Sequence, residues 1–296
     1  MNAERPTIAV IGTGLIGSSL ALALRKSGSP RAILGLARTP QTLELAVRCG
    51  AIDTGLASLR DAAAADIILL CTPVNAILSS LRELGALDVR SSLILDVGSV
   101  KVPVLEAAAA AGLGNVFVGG HPMAGSEKTG PAHARHDLFN TRTFFLVPTP
   151  LTSPEALACA RRLVHALGAV SVEIGPEEHD TTVALTSHLP YLLAGTLSGI
   201  CARHAPADLP FAPGALAGGF RDLTRIADGS PEMWADILLH NSARVRQWLK
   251  ELFESASDTL AANADRTQLI KILETMRESR KKLLLRACNG MTRRSR

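Results

Sequence analysis

Gly12, Gly14 and Gly17, in the run Gly12-Thr13-Gly14-Leu15-Ile16-Gly17, have the spacing that lets backbone amides close on a pyrophosphate. The run follows the β-branched apolar stretch 7–11 and opens a stretch, 15–26, that reads as a helix. Strand, glycine turn and helix together turn a weak pattern into a specific dinucleotide signal. An acid that would bind the ribose 2′-hydroxyl of NAD is expected about 20 residues further on. Ala37 stands there, followed by Arg38 and Thr39. A guanidinium without a carboxylate suits a 2′-phosphate, so NADP is expected over NAD, with Arg38 as the phosphate contact. Leu15, Ile16, Thr39 and Thr72 complete the candidate cofactor residues.

Two further blocks follow apolar runs, Asp96-Val97-Gly98-Ser99-Val100-Lys101 and Gly120-His121-Pro122-Met123-Ala124-Gly125-Ser126-Glu127. In a parallel sheet such places lie at the carboxyl edge, where ligands bind. His121, with glycines on both sides, is placed for close approach, and an imidazole suits a base working near neutrality. Further on, Ser187-His188-Leu189-Pro190 opens an apolar stretch, and Arg221 and Arg225 fall at i and i+4, one face of a helix. Such a pair could clamp a carboxylate. His133, His136 and Asp137 have a spacing that could bring metal ligands together, but the surroundings are polar and no third ligand is evident, so no metal is expected.

These residues need a frame, and the chain supplies one. Strands are expected at 7–11, 32–36, 66–71 and 92–97, alternating with helices at 15–26, 42–48, 75–84 and 102–111. That rhythm means a Rossmann-type, doubly wound, mostly parallel sheet. Apolar runs at 116–118 and 144–147, a helix at 154–167 and a strand at 169–174 extend it. Beyond Gly175-Pro176 the strand-like runs vanish and the pattern turns helical: 179–203, 219–227, 231–255, and a long stretch to about residue 288. The reading is a dinucleotide-binding domain, 1–175, then an all-helical substrate-binding and dimerisation domain, 176–296, with a basic tail. Residues 189–202 are apolar or small nearly all round, which one buried face does not require. A homodimer through this helix is expected.

Composition excludes other classes. The chain has 296 residues, 47% hydrophobic and 20% charged, with ten aromatics, which is neither disordered nor collagen-like and leaves little to stack on nucleic-acid bases. The net charge of +4 is concentrated in the tail, where eight basic residues and one acid lie between Arg277 and Arg296. Neither nucleic acid nor membrane is an expected partner. The tail reads as the solvated last turns of a helix. Five widely spaced cysteines without a CxxC fit a reduced, cytoplasmic protein, and no apolar run is long enough to span a bilayer.

In order along the chain, GTGLIGSSLA, DVGSVK, HPMAGSEKTG, SHLP and GGFRDLTRIADGSPEMW resemble the prephenate and arogenate dehydrogenase family of tyrosine biosynthesis. The resemblance covers nearly the whole chain. It implies oxidative decarboxylation of a cyclohexadienyl substrate with hydride transfer to NAD(P)+. It also implies that His121 accepts the proton of the ring hydroxyl and that Ser99 aligns that hydroxyl. Ser126, Glu127, Ser187 and His188 would line or gate the pocket, and Arg225, helped by Arg221, would hold the substrate carboxylate. Many relatives carry a second histidine three residues after that of SHLP, and here Tyr191 stands in its place. Two other readings share the frame: a β-hydroxyacid dehydrogenase or imine reductase, and a non-catalytic nicotinamide sensor. The first would need a lysine or acid near the nicotinamide, yet the helical half has no lysine before Lys250.

Overall fold

The structure is a computed structural model that describes residues 5–126, 128–204, 216–261 and 266–294, the side chains through Arg286. It forms two compact units, Met1–Ser242 and Ala243–Arg296.

The first unit is built on an eight-stranded sheet: β1 (Thr7–Ile11), β2 (Ala32–Leu36), β3 (Thr54–Gly55), β4 (Ile67–Leu70), β5 (Leu93–Asp96), β6 (Phe117–Pro122), β7 (Thr143–Val147) and β8 (Val170–Glu173). Their order is β3-β2-β1-β4-β5-β6-β7-β8. Every neighbouring pair is parallel except β6 and β7, which run antiparallel. Helices α1 (Leu15–Lys26), α2 (Pro40–Arg48), α3 (Leu59–Ala62), α4 (Val74–Gly85), α5 (Val102–Ala110) and α6 (Pro154–Ala166) connect the strands. The central strands are short and apolar because helices cover both faces, so alternation would bury polar groups. Ile67, Ile68, Leu69 and Leu70 are all buried. Two hydrophobic clusters result. One contains Val10, Leu20, Leu69, Leu95 and Val164, the other Ile11, Ile68, Leu81, Ile94 and Val104.

After β8 the chain is helical: α7 (Pro176–Val183), a π-helical turn (Ala184–His188), α8 (Leu189–His204), α9 (Gly218–Thr224) and a 3-10 turn (Arg225–Asp228). Helix α10 (Pro231–Ala261) begins in the first unit and ends in the second, and α11 (Arg266–Arg294) follows in the second. The stretch expected as one helix over 179–203 is thus interrupted by a π turn. Helix α10 is also kinked, at Asn241, whose backbone (φ −121°, ψ 16°) is not helical. Only Leu189 and Ala194 are fully buried on α8, although the helix is apolar, and Ile200 is exposed.

Candidate functional site

The glycine turn shows how sequence becomes site. Gly12 has φ +98°, and a Cβ there would lie 2.7 Å from the Cys71 carbonyl oxygen, so only glycine lets β1 turn into α1 against the end of β4. Helix α1 starts at Gly14 with no side-chain cap and no acid in its first turn, and the space beside Gly14 is open. Its first amides are therefore free to meet an anion at the positive end of the helix. Two hydroxyls flank the turn, Thr13 Oγ1 and Thr72 Oγ1, both buried and without a hydrogen-bond partner among the described residues. Open backbone, helix end and orphaned hydroxyls fit the pyrophosphate side of a dinucleotide. Leu15 is buried and Ile16 half-buried at the start of α1. Arg38 is exposed just beyond β2, near enough to Glu232 to help hold that carboxyl low, after a backbone bond and the Ser230 hydroxyl. The Thr39 hydroxyl caps α2, accepting from Thr42 N at 3.3 Å.

Where β5 ends, Asp96 is fully buried. Its carboxylate accepts from Gly98 N (2.7 Å) and Gly120 N (3.1 Å) and pairs with the Lys101 ammonium. Lys101 is fully buried too and donates to the Gly120 carbonyl (2.7 Å). Burial lowers the pKa of Lys101 against the pull of Asp96. A Cβ on Gly120 would sit 2.4 Å from the Asp96 carbonyl, which explains a glycine there. Ser99 is half-buried in the same turn.

His121 follows in β6, buried, opposite Phe145 of β7. Its Nδ1 lies 2.9 Å from His179 Nε2, and His179 Nδ1 lies 2.7 Å from Asp180 Oδ1. Asp180, at the start of the helical half, also accepts from the Lys101 and Val102 amides (2.7 and 2.9 Å), the first N–H groups of α5. Burial raises its pKa, but the His179 bond and these two amides outweigh burial and hold it below the usual carboxylate range. An ionised carboxylate can only accept, so His179 Nδ1 carries a hydrogen and His179 Nε2 must accept. His121 Nδ1 therefore donates, and the lone pair sits on His121 Nε2. Burial, then the neighbouring His179, Lys101 and His188, push the His121 pKa well below its ordinary value. The result is a neutral imidazole, held in one tautomer, with its basic nitrogen at Nε2.

His188 closes the cluster from the π turn. Burial drives its pKa down to about 4, with Asp180 opposing and His179 assisting. Its ring meets Trp234 edge-on at 6.0 Å, and Trp234 stacks on Tyr191 at 3.7 Å. Ser187 is half-buried and Ser126 exposed. Glu127 lies outside the described residues. Arg221 is exposed and donates to the Leu216 carbonyl (2.9 Å). Arg225 is exposed in the 3-10 turn, which packs against α8. Among the described residues no group of three or more His, Cys, Asp and Glu could hold a metal, and Asp137 pairs with Arg135.

Sequence reading singled out His121 and His188 but missed His179, Asp180 and Asn241 and gave Lys101 no role. The His179-Asp180 pair beside the strand-to-helix change was the available signal. Nothing in the sequence marked Asn241.

These buried histidines have a consequence for stability. The unfolded chain takes up protons near the ordinary histidine pKa of ~6.5, whereas the folded chain resists until lower pH. Their contribution is therefore complete above pH 6.5 and is lost as pH falls toward the folded values. For His188, falling from 6.5 to about 4, that amounts to on the order of 3 kcal/mol. Melting temperature should fall between pH 6.5 and 4.5, and less steeply in His188→Gln; parallel slopes in the two proteins would contradict this.

Comparison with known proteins gives a consistent result. The family model for the nucleotide-binding domain of prephenate dehydrogenase matches residues 20–173, and that for its dimerization domain matches residues 175–278. The chain is 35% identical to a prephenate dehydrogenase of Bacillus subtilis over 97% of this chain and 78% of the relative. Its fold is similar to a crystal structure of Aquifex aeolicus prephenate dehydrogenase in complex with hydroxyphenyl propionate and NAD+ (TM-score 0.88, 29% identity, 96% of this chain and 100% of that one). It is also similar to Synechocystis arogenate dehydrogenase (TM-score 0.79, 33% identity, 94% and 99%).

Proposed function

The chain belongs to the prephenate dehydrogenase family, and on that premise we propose that it catalyses oxidative decarboxylation of prephenate, arogenate or both. The products are 4-hydroxyphenylpyruvate or tyrosine, CO2 and a reduced nicotinamide cofactor. The observation that carries the reading is the His121–His179–Asp180 chain, which leaves one unprotonated nitrogen as a base at the carboxyl edge of the sheet.

When bound, the nicotinamide supplies the hydride acceptor. The protein's own part is to orient and to take one proton. His121 Nε2 accepts the proton of the ring hydroxyl as hydride leaves the same carbon, and Ser99 aligns that hydroxyl. The imidazolium that forms donates through Nδ1 to His179, which in turn donates to the Asp180 carboxylate, so developing charge faces a fixed anion. Loss of CO2 and aromatisation make the step downhill, which leaves positioning and one base as the main requirements. Arg225, with Arg221, binds the substrate carboxylate, and Ser126, Ser187 and His188 line the pocket. Gly12, Gly14, Leu15, Ile16, Gly17, Thr39 and Thr72 hold the dinucleotide.

NADP is the preferred cofactor in this reading because Arg38 stands where an acid would otherwise repel a 2′-phosphate. Arg38→Ala should raise KM for NADP+ by about 10- to 100-fold, the worth of a charged hydrogen bond, and change KM for NAD+ little. Equal losses would show that Arg38 does not meet the phosphate. A homodimer that covers the exposed apolar surface of α8 completes the proposal, with a cytoplasmic location in keeping with the widely spaced cysteines.

The test is to follow nicotinamide reduction with prephenate and with arogenate, each with NAD+ and NADP+. Reduction with at least one pair is expected; none with any pair would overturn the reading.

A further inference from the structure

Asn241 is 1% exposed, at the kink of α10. Its Nδ2 lies 2.8 Å from the main-chain carbonyl of Asp180 and 3.1 Å from His188 Nδ1. A carbonyl can only accept, so the group facing it must be the amide NH2, which fixes the orientation of the Asn241 side chain. The second hydrogen of that NH2 then meets His188 Nδ1, which has to present a lone pair. A neutral His188 with its lone pair on Nδ1 carries its hydrogen on Nε2. Nε2 is buried and, among the described residues, has no hydrogen-bond partner. A buried N–H without an acceptor is costly and calls for one.

We propose that Asn241 is a positioning residue for the reaction: by donating to both the Asp180 carbonyl and His188 Nδ1, it holds His188 as the tautomer whose Nε2–H binds a carboxylate oxygen of the substrate. The proposal rests on the functional reading above and deepens it. A neutral donor has an advantage beside His121, since a second positive charge there would make the base harder to protonate. Burial keeps His188 so, against the pull of Asp180 and with the help of His179, and Trp234 packs against the ring. Sequence spacing offers no sign of this role, because 53 residues separate Asn241 from His188.

The experiment has two arms. In the protein with 15N-labelled histidine and no substrate, proton–nitrogen correlation spectra should show His188 protonated on Nε2 and bare on Nδ1. The variant Asn241→Asp replaces the donor by an acceptor and should move the hydrogen to Nδ1. The same variant should raise the substrate KM about tenfold, the cost of a lost hydrogen bond, with kcat within a fewfold of the parent. In a His188→Gln background it should add little, because the residue acts through the histidine. A parent protein with His188 protonated on Nδ1, or an equal KM effect of Asn241→Asp in both backgrounds, would overturn the proposal. Because the tautomer is read without substrate, its failure is distinguishable from failure of the functional reading, which the turnover assay decides.

Discussion

His121→Asn should lower kcat by about 10²- to 10⁴-fold with little change in substrate KM. Asparagine is close in size to the proximal half of the ring and can still hydrogen-bond to His179, so the pocket keeps its shape. It cannot take the hydroxyl proton. The expected loss thus falls on the transition state rather than on binding. Steady-state kinetics at saturating cofactor, with the melting temperature as a control for folding, checks it. Unchanged turnover in a folded variant would refute the role of the base.

The second large effect concerns stability. Lys101→Met should destabilise the fold by about 3–5 kcal/mol, because it leaves the Asp96 carboxylate buried without its counter-charge. Two amides, Gly98 N and Gly120 N, still donate to that carboxylate, but they carry no net charge. At about 2–4 °C per kcal/mol for chains of this order of size, the melting temperature should drop by roughly 10 °C. The double variant Asp96→Asn with Lys101→Met should recover part of the loss, since neither charge then remains. A single variant that melts with the parent would show that the pair is not buried as described. A double variant worse than the single would show that the carboxylate serves another purpose.

Much of the frame was legible because short β-branched runs cannot be buried helices and amphipathic runs cannot be central strands. β2 runs from Ala32 to Leu36 as its composition demands, and α1 ends where its basic residues Arg25 and Lys26 stand. The elements not foreseen are small: β3 is a two-residue strand and α3 a four-residue helix, too short to show a period. At the site, the glycine turn and His121 carry local signatures that a sequence can display. The partners of His121 do not. His179 and Asp180 sit 58 and 59 residues further along, in a helix whose composition is ordinary. Lys101 reads as a surface lysine until the fold encloses it. Asn241 occupies a helix interior, where asparagine is a poor helix former and is otherwise unremarkable. Contacts that exist only after folding leave no periodicity to read.

The π turn at Ala184–His188 makes angular phase part of the active-site design. In an unbroken α-helix the eight steps from Asp180 to His188 overshoot two turns by about 80°. The wider coil takes up part of that excess, and the Asn241 amide reaches both the Asp180 main-chain carbonyl and His188 Nδ1. Straightening the coil to ordinary α geometry at unchanged length would swing every later side chain of α8 around the axis by the part taken up, whereas losing one residue together with the coil leaves seven steps, within about 20° of two turns. A chain that kept all its functional residues and its helix content could therefore still lose their alignment if the turn were straightened at constant length.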